Sequence, residues 1–75
     1  MNKPFAFEIT ACDGDHIKRF ATLEELKEVV QRYAKGTYWG GVSRFSCDGI
    51  RYEVVGATLA DCGVTRDEDF FCRVA

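Results

Sequence analysis

Between Thr22 and Gly36 apolar side chains return every three or four residues, at Leu23, Leu26, Val29, Val30 and Tyr33, while Glu24, Glu25, Lys27, Glu28, Gln31 and Arg32 fill the other faces. That spacing predicts one amphipathic helix with a single buried stripe. Thr22 is placed to cap its first turn, and Glu25, three residues on, completes a capping box. The early glutamates and Lys35 match the helix dipole, and Gly36 is the residue type that ends a helix in the left-handed conformation.

On both sides of the helix the period falls to two. Phe5, Phe7 and Ile9 alternate with Ala6, Glu8 and Thr10, which predicts a half-buried first strand over Phe5 to Ala11. Asp13-Gly14-Asp15 is a turn signal, and His16 to Phe20 is expected to return as a short antiparallel strand. Beyond the helix, Thr37 to Gly41 reads as a loop carrying Tyr38 and Trp39. Val42 to Cys47 alternates with Phe45 and Cys47 inward, Asp48-Gly49 predicts a type I′ turn, and Ile50 to Val55 returns. Thr58 to Val64 is expected to form a short helical turn capped by Thr58 and Asp61. Thr65 to Asp69 reads as a charged turn, and Phe70 to Val74 as the last strand, with Phe70, Cys72 and Val74 inward and Phe71 and Arg73 outward.

Composition adds limits. Seventy-five residues make one domain, 1–75, whose core leaves little room for elaborate catalytic architecture. A hydrophobic content of 47% sets the chain apart from disordered sequences. The formal charge of −2 supplies no global field toward a phosphate backbone or an anionic membrane, so nucleic acid is disfavoured as a partner. No apolar run has the length of a bilayer span. The four cysteines, Cys12, Cys47, Cys62 and Cys72, stand at irregular intervals with no signal-peptide pattern ahead of them. They are expected to be free thiols of a cytoplasmic chain. No two are nearer than ten residues, so the close ligand pairs of a zinc site are missing, and neither metal nor cofactor is expected.

The order strand, strand, helix, strand, strand, short turn, strand resembles the β-grasp, and the residues resemble ubiquitin-like domains. The helix pattern Thr22-Leu23-x-x-Leu26-x-x-x-Val30, the hairpin Arg44 to Glu53 around Asp48-Gly49, and the segment Thr58-Leu59-Ala60-Asp61-Cys62-Gly63-Val64 through Val74 carry the likeness. It implies an α+β fold in which a mixed sheet of four or five strands packs on one helix. The chain ends Arg73-Val74-Ala75 rather than in diglycine, so with Ala75 as the natural terminus the likeness implies neither conjugation nor sulfur carriage. At the positions where ubiquitin's recognition depends on an apolar patch stand Ser46 and Arg73.

Catalytic constellations are weak. Cys12 and His16 could be drawn as nucleophile and base, but a hairpin turn offers no pocket. Asp67-Glu68-Asp69 lacks the spaced ligands and glycine of a calcium loop. No enzyme is expected. The outer sheet face remains: Glu8, Thr10, Arg44, Ser46, Arg51, Phe71 and Arg73 are expected on it, and arginine with aromatics is the composition of binding hot spots. The expectation is a non-catalytic protein-binding module, monomeric or weakly dimeric, using Arg44, Arg51, Phe71 and Arg73, with Tyr38 and Trp39 as a second contact surface. Trp39 has the competing role of a lid on the core. Two rivals are a small phage-encoded inhibitor of the anti-CRISPR kind, presenting Asp61, Asp67, Glu68 and Asp69 as a phosphate mimic, and a single-stranded nucleic-acid binder stacking bases on Phe71.

Overall fold

A computed structural model describes residues 6–11 and 17–74 of the chain. Phe5, the Asp13 turn and the Cys12–His16 pair lie outside the described residues. The elements are β1 (Phe7–Ala11), β2 (Ile17–Phe20), α1 (Leu23–Ala34), β3 (Tyr38–Gly41), β4 (Arg44–Cys47), β5 (Ile50–Val55), a 3-10 turn (Ala60–Cys62), β6 (Val64–Arg66) and β7 (Cys72–Val74). This is an α+β fold, with one helix on a five-stranded sheet of order β2-β1-β5-β4-β3 and a separate pair β6-β7.

The helix forms where its pattern predicts. Thr22 Oγ1 accepts the Glu25 N–H and the Glu25 carboxylate accepts the Thr22 N–H, closing the capping box. Leu26, Val30 and Ala34 are buried, with Leu23, Val29 and Tyr33 packed beside them. Under this stripe lies the inward face of the sheet, where Ile9, Phe45 and Val54 are buried and Phe45 stacks on Tyr52 at 5.1 Å between ring centroids. Leu59, Cys62, Val64 and Cys72 close the core from the side, and Gln31 Nε2 ties the helix to the Cys62 carbonyl at 2.8 Å.

The second hairpin turns as expected: Asp48 and Gly49 take φ of 52° and 81°, the pair of positive values that a type I′ turn requires. Asp61 and Thr58 bond each other's backbone N–H, at 3.0 and 3.1 Å, and set the 3-10 turn.

Four expectations are corrected. The sheet is not mixed: among the described residues every strand pairing is antiparallel, and the neighbours of β1 are β2 and β5. The stretch Thr37–Gly41 is not a loop, because Thr37 is buried with its hydroxyl on the Ala34 carbonyl and the chain then runs extended as β3. Gly40 sits where a Cβ would crowd Arg44, and the register shifts there in a bulge, so the glycines serve a strand edge. Thr65 and Arg66 are strand, paired with Arg73 and Cys72. Phe70 is not inward: it is 53% exposed and turns away at a φ of 67°.

Candidate functional site

Antiparallel register arranges the outer face of the sheet in cross-strand rows. In one row Phe71 bridges to Tyr38, Tyr38 lies opposite Ser46, and Ser46 opposite Arg51. The next holds Arg44, Glu53, Thr10 and Ile17, and a third holds Val55, Glu8 and Arg19. Neighbours in a row are about 5 Å apart, within reach of one another's side chains.

The first row is the distinctive one. Tyr38 is 57% exposed, yet its ring stacks on Phe71 with centroids 4.5 Å apart and planes inclined at 30°. An aromatic pair of that geometry is favourable by about 0.5–1.5 kcal/mol, and here it keeps most of one ring in water. Arg51 ends the row, exposed and in no ion pair among the described residues.

The carboxylates on and beside this face are already engaged. Glu8 accepts the Thr10 hydroxyl at 2.6 Å and the Arg19 guanidinium at 3.2 Å, and these bonds hold its carboxyl below the usual range. Glu53 meets Arg44 at 3.9 Å, a loose contact of two exposed side chains. Asp67 accepts the Phe71 N–H at 3.0 Å, the Asp69 N–H at 2.9 Å and Arg73 Nε at 3.3 Å, and the backbone donors lower its carboxyl first. A shallow hollow of about 240 Å³ between β1, β4 and β5 is bordered by Thr10, Arg44, Arg51 and Glu53. A wider open one of about 540 Å³ beside the last turn is lined by Arg66, Asp67, Glu68, Asp69 and Arg73. With charges of both signs and no apolar residue in its lining, it is unlike a small-molecule pocket.

Arg44, Arg51, Phe71 and Tyr38 therefore meet on one surface, with Arg73 at its margin on the same side of β7 as Phe71. Tyr38, expected on a separate contact loop, joins the face because its segment is a strand. Trp39 does not join it: alternation turns it inward opposite Phe45, half-buried against the core. Of the carboxylates considered for phosphate mimicry, Asp61 and Asp67 cap their own turns. Phe70, which carries the guanidinium of Arg66 at 4.8 Å from its ring, was hidden in the sequence because alternation points it into the core.

Cys47 is half-buried and Cys62 and Cys72 are buried, all free, and removal from water raises each thiol above its ordinary value. Among the described residues no three His, Cys, Asp or Glu are grouped to hold a metal ion. No helix among them is long and apolar enough to cross a membrane. No protein-family model, no curated protein and no solved structure matches this chain.

Proposed function

We infer that the chain acts as a protein-binding module through the outer face of its five-stranded sheet, without catalysis or a cofactor. The observation that carries this is the exposed Tyr38–Phe71 stack in line with Arg51, an aromatic platform beside a guanidinium that makes no ion pair among the described residues. Aromatic side chains contribute strongly to binding because they desolvate a large area while ordering only two torsions, and arginine because its planar guanidinium presents several donors in a fixed fork. The ubiquitin-like likeness contributes its order of elements only. The platform follows from an antiparallel sheet, and a β-grasp ancestry in which the last strand pairs apart from the main sheet is compatible with it.

Tyr38 and Phe71 together would also offer bases a stacking surface, the second reading that this stack favours. The overall charge of −2 and the three engaged carboxylates on or beside the face weigh against it. Affinity capture from a lysate of the source cells, with and without nuclease, tests both. The wild type is expected to retain a discrete protein after nuclease treatment, and a Tyr38→Ala, Arg51→Ala variant to lose it. Loss of all bound material on nuclease treatment would transfer the function to nucleic acid. Equal capture by the variant would move the site off this face.

A further inference from the structure

The turn between β6 and β7 is built against its own backbone preference. Phe70 takes a φ of 67°, where a bulky side chain crowds the backbone and which Gly, Asn and Asp enter more readily. Burial does not compensate, since the residue is 53% exposed. Hydrogen bonds from neighbouring groups impose the conformation. Asp67 holds the N–H groups of Asp69 and Phe71, and its backbone carbonyl accepts the Phe70 N–H at 3.2 Å. The Phe70 carbonyl accepts the Trp39 N–H at 2.6 Å, while Cys72 donates to the Thr37 carbonyl at 2.7 Å and accepts from Gly36 at 3.2 Å. Residues 70–72 thus lie along the edge of β3 that β4 leaves unpaired.

The ends of this segment differ in their hold on the molecule. Cys72 and Val64 are buried in the core. Between them Thr65, Arg66, Glu68, Asp69 and Phe70 are exposed, and Asp67 and Phe71 are only half-buried. A stretch with little buried surface, a strained residue and an Asp67–Arg73 lock whose guanidinium is exposed has the features of a unit that opens below the cost of global unfolding.

We propose that Asp67–Phe71 is a strap that opens as its own unit, hinged at the buried Val64 and Cys72, and that its closed state assembles the aromatic platform by laying Phe71 on Tyr38. Opening parts the two rings and frees the Trp39 N–H on the β3 edge, so the platform and the bare strand edge belong to different states of one chain. A ligand that holds the platform shifts the population toward the closed state. The strap is a property of the free chain and stands whether or not the face binds a partner.

Residue-resolved amide hydrogen exchange on the free, full chain tests it. The Trp39 amide is expected to exchange at least about tenfold faster than the Val54 amide, which is bonded to the Ser43 carbonyl in the main sheet. Asp67→Ala, which leaves Trp39's own acceptor intact, is expected to speed Trp39 exchange by about 5- to 30-fold while Val54 changes far less. Comparing Phe70→Gly with Phe70→Ala isolates the strain, since both lack the ring. Glycine, ordinarily the costlier residue, is expected to slow Trp39 exchange relative to alanine. Trp39 exchanging in step with Val54 in the wild type and the Asp67 variant would overturn the strap. Faster Trp39 exchange in the glycine variant than in the alanine variant would overturn the role of Phe70 strain in it.

Discussion

Tyr38 and Phe71, far apart in the chain, stack with ring centroids 4.5 Å apart where an isolated antiparallel bridge joins β3 to the residue before β7. The contact links the five-stranded sheet to the small second one, and it is formed on the side away from the helix. An aromatic pair placed there adds little to the core, and its accessible ring surface is what a partner would meet.

Tyr38 and Arg51, two exposed residues of the row that Phe71 begins, should therefore matter little for stability. Tyr38→Ala is expected to cost about 0.5–1.5 kcal/mol, the worth of an aromatic pair, and Arg51→Ala to stay within about 0.5 kcal/mol of the wild type. Urea denaturation followed by circular dichroism checks both, and both variants should fall short of the wild type in partner capture.

Residues on the opposite side of the same strands should behave in the reverse way. Phe45 is fully buried on β4, and Phe45→Ala is expected to cost about 3–5 kcal/mol, enough to leave a domain of this size largely unfolded at room temperature. Trp39 is half-buried facing Phe45, so Trp39→Ala should lose up to about 3 kcal/mol, more than its exposed neighbour Tyr38. A Trp39 variant with wild-type stability would contradict its inward placement.

The helix start gives a smaller and separable effect. Thr22→Ala removes one half of the capping box, and a loss of about 1 kcal/mol is expected in the same denaturation assay. Glu25→Ala should also destabilise, by removing the carboxylate that accepts the Thr22 N–H.

The helix and the Asp48-Gly49 hairpin were legible in the sequence because each is specified by residues close together: a capping pair, a stripe of Leu26 and Val30, two positions that tolerate positive φ. What was not legible depends on distant partners. Tyr38-Trp39-Gly40-Gly41 reads as a loop because two glycines hide the alternation, and only pairing with Ser46 and Phe45 makes it a strand. The alternation of the last strand does not say which strand it pairs with: it lies on β6, while β1 is flanked by β5, whose Val54 and Tyr52 meet Ile9 and Ala11. Phe70 follows the alternation of its strand on paper, whereas Asp67's bonds to the N–H groups of Asp69 and Phe71 turn the chain at that residue. The arginines of the outer face were found by alternation alone. That Tyr38 lies among them was not, since its strand was unseen.

Acid should weaken the fold through two carboxylates. Glu8, bonded first by the Thr10 hydroxyl and then by Arg19, and Asp67, bonded first by the Phe71 N–H, are both held below their ordinary values of 4.5 and 3.8. A carboxyl whose folded value is lower than its unfolded one binds its proton more readily when unfolded. Its contribution is complete above the ordinary value and is lost as pH falls through the folded value. Urea midpoints measured from pH 7 downward should show little contribution from these two groups to any change until about pH 5, then a decline that continues below the ordinary values. Asp67→Asn should flatten that decline. A decline equally steep in the variant would show that Asp67 does not carry it.

The most direct test of the proposed binding face is site-specific photocrosslinking in the source cells, with a photoreactive phenylalanine analogue placed at Tyr38 in one chain and at Glu28, on the exposed side of the helix, in another. The account predicts a discrete protein adduct from position 38, suppressed by excess unlabelled wild type, and none at position 28. An adduct formed at position 28 alone, or one from position 38 that proves to be nucleic acid, would contradict it.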